Sequence, residues 1–573
     1  MASAASGDTR PARHTLDRMA REPDEGGAFV FDLVDDEVAD VEAHPADAGA
    51  GDGPDGDRPD AGDLPASGGA NRMLRATAPV AAVLAIALVT GAGFDGIRDG
   101  ARMERMRDVD GGVADVSSPL TETWAWEGAV GPRETVDEGL GTRIAVLGDV
   151  LAFESDGELV GLDPATGAEA WTVPLAADPD CAPMGSAGWG GVAASILVCL
   201  AGSGADRAAT VVGPDGVVGA PRPLDVADTR RYGEARPGPD GTVLRARRVG
   251  PAPEADLGDA RCTDMGECTG TVDRGQDLEL RAEDALTGEQ RWRLTVPFRP
   301  TRADQCANWY GTSWDGSSTY VDLDDMLDPD AFGARVTDGL VELYGCGVES
   351  AVTPSGVVIG ADIDSGAGSK GSLRTGGYAA YTFDGDAERT VLYGADGELV
   401  GEIDGYAIEP AAVDGSGPDT LLGIGHAGPR VQAYESDGTL RWDAEVERVA
   451  QMFLAQVAGT AVISTGTGAV RGLDLTTGEE RWTWNALDAG AEQRDVLYVS
   501  RTFTDGQNVL LLTEDGRQGA GLVALDVASG EVAWEQSGDD APFDNLGMVA
   551  GTALVAVDGN LLKVAPDRVS RLG

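Results

Sequence analysis

From about residue 118 onward, apolar and polar positions alternate in short runs closed by Gly, Asp, Asn or Pro, and that period of two predicts β-strands rather than helices. One ten-residue phrase recurs within the pattern. It reads LDPATGAEAW at Leu162 to Trp171, EDALTGEQRW at Glu283 to Trp292, LDLTTGEERW at Leu473 to Trp482 and LDVASGEVAW at Leu525 to Trp534. An Asp is followed three residues later by Thr or Ser, four later by Gly and eight later by Trp. The apolar run ending at the Asp predicts one strand, and the run ending at the Trp predicts the next. Asp bonds its own backbone in the turn between them, and Gly supplies a positive φ. Degenerate copies, YESDGTLRW at Tyr434 to Trp442 and YGADGELVG at Tyr393 to Gly401, keep the Gly, and the second loses the Trp.

Upstream of the phrases lie further hairpins, at Ile144 to Phe153, Phe453 to Ser464 and Val496 to Thr513, so each unit holds four short strands. Gly401, Trp442, Trp482 and Trp534 follow one another at 41, 40 and 52 residues, which suits one four-stranded propeller blade per period. A worn copy around Pro214-Asp215-Gly216 falls in the longer gap from Trp171 to Trp292. Thr552 to Val564 is a hairpin without its outgoing Trp strand, and Thr121 to Glu127 is an outgoing Trp strand without its hairpin. The two are expected to complete one blade and close the ring, removing two exposed edges. The fold expected is all-β: an eight-bladed β-propeller, with seven blades as the alternative.

The phrase is similar to the repeat of pyrroloquinoline-quinone-like (PQQ-like) β-propellers, over roughly Ser118 to Gly573. The resemblance implies that Trp124, Trp171, Trp292, Trp442, Trp482 and Trp534 dock neighbouring blades, with Gly167, Gly288, Gly397, Gly438, Gly478 and Gly530 at the blade turns. It leaves the cofactor open, because that family holds quinoprotein dehydrogenases and also propellers that bind no quinone and serve as binding scaffolds.

Composition sets the rest of the chain apart. Residues 1–71 are rich in Ala, Gly, Asp and Pro, too poor in apolar surface to fold, and read as a disordered acidic cytoplasmic tail. Phe29 to Glu37 interleaves apolar residues with acids, and it is read either as ordinary tail or as a short motif for a cytoplasmic partner. Residues 72–95 contain Ala76 to Phe94, an uncharged stretch long enough for one transmembrane helix, and 96–117 follow as a juxtamembrane linker. Arg58, Arg72 and Arg75 precede the span, while Arg98, Arg102, Arg105 and Arg107 follow it, a count that slightly favours the opposite topology. Long domains translocate largely regardless of flanking charge, so the propeller is still expected outside the cytoplasm.

All six cysteines lie in the propeller, which suggests disulfides on an oxidising side. Proximity favours Cys181 with Cys199, Cys262 with Cys268 and Cys306 with Cys346. Zinc is disfavoured, since no Cys-x-x-Cys occurs and His426 is the domain's one histidine. A catalytic triad would have to be built around that residue. Carboxylates are abundant, and no pair stands out for glycosidase chemistry. Asp322, Asp324, Asp325, Asp328 and Asp330 form an acidic run with calcium-like oxygen content but no EF-hand spacing.

A quinoprotein dehydrogenase would want a Cys-Cys pair over its cofactor, a Trp beneath it and a bound calcium. The chain has no such dipeptide; Trp309 and Trp314 fall outside the repeat and either line a funnel or pack within a long insert. No catalytic residue, metal or cofactor is therefore expected; PQQ with calcium enters only under the enzyme alternative. A formal net charge of −54 argues against nucleic acid and anionic headgroups as partners. Partner contacts are expected on the long inserts Pro221 to Cys268 and Pro297 to Ser350. The first carries Arg230, Arg231, Tyr232, Arg245, Arg247 and Arg248, which either recognise an acidic protein or polymer or balance neighbouring acids. The expected function is a single-pass scaffold that binds protein or polymer at the cell envelope. Lysine occurs at Lys370 and Lys563 alone, and this arginine bias suggests a GC-rich genome and an actinobacterial envelope.

Overall fold

The computed structural model describes residues 104–573 apart from 132–141, 178, 188–190, 252–257, 264–266, 308–326, 338, 361–369, 375, 385–386, 426–427, 449, 467, 486–497, 516–518 and 537–551. The tail, the Phe29 to Glu37 motif, the expected membrane span, His426, Trp309, Trp314 and Asp322 to Asp325 lie outside the described residues. Among the described residues no helix is long and apolar enough to cross a membrane.

The period-two segments form antiparallel sheets built from consecutive strands, inner to outer in chain order. Sheet 1 runs from Arg143–Leu147 to Glu169–Pro174, sheet 2 from Asp180–Ala182 to Gly216–Val217 and sheet 3 from Arg236–Pro237 to Gln290–Val296. Sheet 4 runs from Phe332–Thr337 to Val358–Ile359, sheet 5 from Lys370–Ser372 to Leu399–Asp404 and sheet 6 from Tyr406–Ile408 to Leu440–Glu445. Sheet 7 runs from Ala450–Val457 to Glu480–Asn485, and sheet 8 from Tyr498–Thr504 to Val532–Gln536. In sheet 9, Ala553–Val557, Asn560–Ala565 and Arg568–Leu572 are completed by Glu122–Glu127, with Trp126 opposite Val569. First and last segments thus share a sheet.

The described residues hold nine sheets of four or more strands, where eight blades were expected. The additional one is sheet 4. Its turn, Thr353-Pro354-Ser355-Gly356, lacks both the Asp and the Trp of the phrase, so the repeat gave no signal there and the stretch read as an insert.

Each sheet packs on its neighbour through a separate apolar cluster. Val462, Val470 and Trp482 of sheet 7 meet Val509, Leu511 and Leu525 of sheet 8, for example. Equivalent clusters join sheets 1 to 2, 2 to 3, and so on round to 8 with 9 and 9 with 1, so the circuit of contacts closes. Among the described residues the clusters between sheets 4, 5 and 6 are the smallest of those joining sheets. Burial of Leu, Val and Ile side chains in these interfaces supplies roughly 1.5–3 kcal/mol apiece.

The stretch expected as a linker up to residue 117 is instead tied onto the sheets from residue 104. Met106, Val113 and Val116 are buried. Asp110 accepts from Val413 N at 3.0 Å, Val113 N donates to Thr504 O at 2.8 Å, and Ala114 N donates to Gly559 O at 2.8 Å. This strap crosses the connections between the first and second strands of sheets 6, 8 and 9. Those connections lie on one face of the ring; connections from second to third strands, and from one sheet to the next, emerge on the other.

Candidate partner-binding face

The repeat phrase builds the joints between sheets. Asp163 Oδ1 accepts from Ala165 N at 2.8 Å and Thr166 N at 3.1 Å, and Asp284, Asp474 and Asp526 close the same turn on their own backbones. The turn glycines Gly167, Gly288, Gly397, Gly438, Gly478 and Gly530 have φ of +72, +76, +79, +82, +75 and +71°. A second constraint acts on most of them, since a Cβ on Gly478 or Gly530 would lie 2.6 or 2.5 Å from the Trp442 or Trp482 ring of the preceding sheet. The bare Cα is the floor on which the indole rests.

The indole N–H then finds a carbonyl in that same turn. Trp124 donates to Ala165 O at 3.2 Å, Trp171 to Pro214 O at 2.7 Å, Trp292 to Pro354 O at 2.8 Å, Trp442 to Leu475 O at 2.8 Å and Trp482 to Val527 O at 2.7 Å. Trp534 donates to Val116 O at 2.8 Å, so the strap supplies the turn that sheet 9 cannot form from its two chain ends.

Three joints use no indole. Arg222 lies over Gly288 and donates Nε to Ala285 O at 2.8 Å, Val357 packs on Gly397, and the backbones at Gly401 and Asp437 meet directly. Opposite each strand-borne Trp of the phrase stands a small residue, Gly161, Ala282, Ala433, Gly472 or Ala524. These fell outside the sequence reading, although Gly or Ala two residues before the Asp position was the available signal.

The expected inserts prove to be partly blade, with Arg236–Pro237 and Thr242–Val249 in sheet 3 and Phe332–Thr337 and Leu340–Gly345 in sheet 4, and other parts of them assemble on the face opposite the strap. Val272 and Cys306 pack with Cys346, Phe298 and Leu327 in a core of their own. Thr271–Val272 pairs with Thr301–Arg302, and the Cys306–Cys346 disulfide ties the connection after sheet 3 to a connection within sheet 4. Cys262–Cys268 staples the neighbouring hairpin, and Cys181–Cys199 links paired strands of sheet 2. Arg248 clamps this knob by donating to Ala331 O at 3.0 Å, Cys346 O at 2.9 Å and Gln276 O at 2.9 Å. Burial pulls its guanidinium down to about 10, with Asp330, Asp328 and Asp277 opposing that shift.

The basic residues of the first insert divide between structure and surface. Arg245 is fully buried against Glu283, Arg247 pairs with Glu279 at 3.1 Å, and both Arg231 and Arg247 lie over the Tyr232 ring, 5.1 Å from its centroid. Tyr232 ends helix α1, Val226–Tyr232, whose N-cap Asp225 accepts from Ala227 N. Arg230 and Arg231 are exposed at its other end.

A cavity of about 500 Å³ opens among the innermost strands of sheets 1 to 4, lined by Arg143, Asp180, Met184, Arg236 and Arg335 among others. Arg143 donates to Cys181 O at 3.0 Å, and Arg236 to Ala334 O at 2.7 Å, so these arginines staple one sheet to the next. Among the described residues the lining has no aromatic ring, and no group of three His, Cys, Asp or Glu positioned for a metal occurs among them. Asp328 and Asp330 of the acidic run instead close a turn, with Asp330 N donating to Asp328 Oδ1 at 2.9 Å.

Residues 391–566 match the family model described as outer membrane protein assembly factor BamB. No curated protein sequence matches. Among solved structures, BamB from Moraxella catarrhalis is similar over 79% of this chain and 99% of its own, at 13% identity and a TM-score of 0.33. The quinohemoprotein alcohol dehydrogenase from Comamonas testosteroni aligns over 79% of this chain and 76% of its own, at 12% identity and a TM-score of 0.34. The computationally designed Ika8 protein aligns over 78% and 99%, at 12% identity and a TM-score of 0.30.

Proposed function

We propose that this chain, whose repeats are those of the PQQ-like β-propeller family, is a membrane-anchored scaffold: nine blades outside the cytoplasm, presenting the stapled knob to a protein partner. The observation that carries the reading is the placement of strap and knob on opposite faces. If residues 72–95 span the bilayer, eight residues separate the span from Glu104 at the start of the strap, a reach of at most about 30 Å. A free linker up to Glu122 would reach about 90 Å and leave orientation open. The strap therefore turns the face with the short hairpins toward the membrane and the knob away from it. Disulfides in the knob suit an oxidising compartment. Loop-built surfaces on a rigid frame are where partners are generally recognised.

The test is residue-specific photo-crosslinking in the native envelope, with the reactive side chain at exposed Glu267 of the knob in one variant and at Thr477 on the strap face in another. A discrete adduct from Glu267 alone supports the reading; adducts from Thr477 alone reverse the orientation. Alkaline extraction and protease accessibility of the knob in intact cells test the anchor separately. Dye-linked dehydrogenase activity on adding PQQ and calcium would replace the scaffold by an enzyme.

A further inference from the structure

Arg245, Arg281 and Arg293 stand directly opposite one another on three adjacent strands of sheet 3. Like charges in register across strands destabilise a sheet, because their Cβ atoms lie only about 5 Å apart. The row runs outward, with side chains 0, 18 and 43% exposed. Too few carboxylates serve it. Glu283 is shared by Arg222, Arg245 and Arg281, at 3.1, 3.7 and 3.2 Å, and Glu279 is shared by Arg247 and Arg293. Arg245 Nε and Nη2 and Arg281 Nε are buried without a hydrogen-bond acceptor. Arg230 and Arg231 add two exposed guanidiniums from α1 and make no ion pair among the described residues.

These groups converge. Arg231 and Arg247 lie over one Tyr232 ring, and Arg247 and Arg293 share Glu279. Among the described residues seven arginines therefore face four carboxylates, Asp225, Asp228, Glu279 and Glu283, on a chain whose net charge is −54.

We propose that the arginine ladder beneath α1 is a binding site for a compact, multiply charged oxyanion of the phosphate class. Arg231, Arg247 and Arg293 contact it, and fully buried Arg245 behind them adds positive potential. Guanidinium forks match tetrahedral oxyanions by paired N–H donors. A long polyanion is disfavoured, because the acidic surface around the patch would repel it. The phosphate group belongs either to a small free ion or to a lipid headgroup.

The test is isothermal titration of the full chain in detergent micelles at low salt, with inorganic pyrophosphate in one arm and soluble dioctanoyl phosphatidic acid in the other. Binding of pyrophosphate identifies a free phosphate-class ion, and binding of the lipid alone identifies a headgroup; either supports the site. The triple variant R230A/R231A/R293A, confined to exposed or half-exposed side chains, should weaken binding at least tenfold with an unchanged melting temperature. R293K should lose part of the affinity, keeping charge without the fork. R302A, at a guanidinium 73% exposed in the knob, should bind like the parent chain. Absence of binding in both arms at millimolar ligand, or undiminished binding by the triple variant, overturns the proposal. None of these outcomes depends on membrane anchoring.

Discussion

The joint between sheets 7 and 8 makes a quantitative demand, because Gly530 has two separate reasons to be glycine. Its φ of +71° is left-handed, which costs an L-residue about 1–2 kcal/mol. An added Cβ would also lie 2.5 Å from the Trp482 ring, and overpacking of that kind costs about 1–3 kcal/mol. Gly530→Ala is therefore expected to destabilise by about 2–5 kcal/mol in all. Trp482→Ala is expected to cost about 3–5 kcal/mol, since the indole is 7% exposed and its N–H satisfies Val527 O. In the double variant the methyl enters space the indole has left, and only the backbone cost remains. The double variant should thus be more stable than the sum of the singles implies, by about 1–3 kcal/mol. Urea unfolding followed by far-UV circular dichroism reads this without relying on tryptophan emission. Trp482→Ala with Gly167→Ala, which meets Trp124 instead, is the additive control. If W482A and G530A add to within about 0.5 kcal/mol, the indole does not rest on that glycine and the docking argument fails.

Other outcomes follow from the same structure. Sheet 5, flanked by the two smallest clusters and by joints without an indole, should show the lowest amide-exchange protection of the nine; protection equal to that of sheet 7 would count against it. Burial disfavours the Asp284 carboxylate, but the Arg291 guanidinium and the Thr287 donors outweigh it and hold its pKa at about 2. Its stabilisation is present above the unfolded value near 3.9 and fades as pH falls toward 2. The stability gap between the parent chain and Asp284→Asn should therefore narrow between pH 5 and 2, and a gap independent of pH refutes the assignment. Arg501, on the innermost strand of sheet 8, has Nε and Nη2 buried without acceptors, and burial alone lowers its pKa to about 10. It remains charged at pH 7, so Arg501→Met should stabilise by about 1 kcal/mol or more; a lower unfolding midpoint would reveal a role for the charge.

What the sequence determined by itself is local. Asp, Ser or Thr, Gly and Trp at fixed offsets encode a turn whose side chains bond their own backbone, so strands, turns and the unpaired terminal segments were legible before any coordinate. Short separations between cysteines made the three disulfide pairings legible too. Tertiary structure alone decided what depended on distant partners. Sheet 4 was hidden because its turn, Thr353 to Gly356, carries neither the Asp nor the Trp of the repeat, although Pro354 O still accepts the Trp292 indole N–H. Arg222 carries no repeat signal in the sequence, and only the fold shows its Nε reaching Ala285 O where an indole reaches a carbonyl elsewhere. Residues 104–117 looked like a linker because their contacts, such as Val113 with Thr504, join positions nearly four hundred residues apart. The arginines of sheet 3 showed their shared glutamates, and their shortage of them, only once three strands were brought into register. Hydrophobic periodicity sets which way a side chain faces on its own strand; which sheet it then meets is fixed by how the whole ring closes.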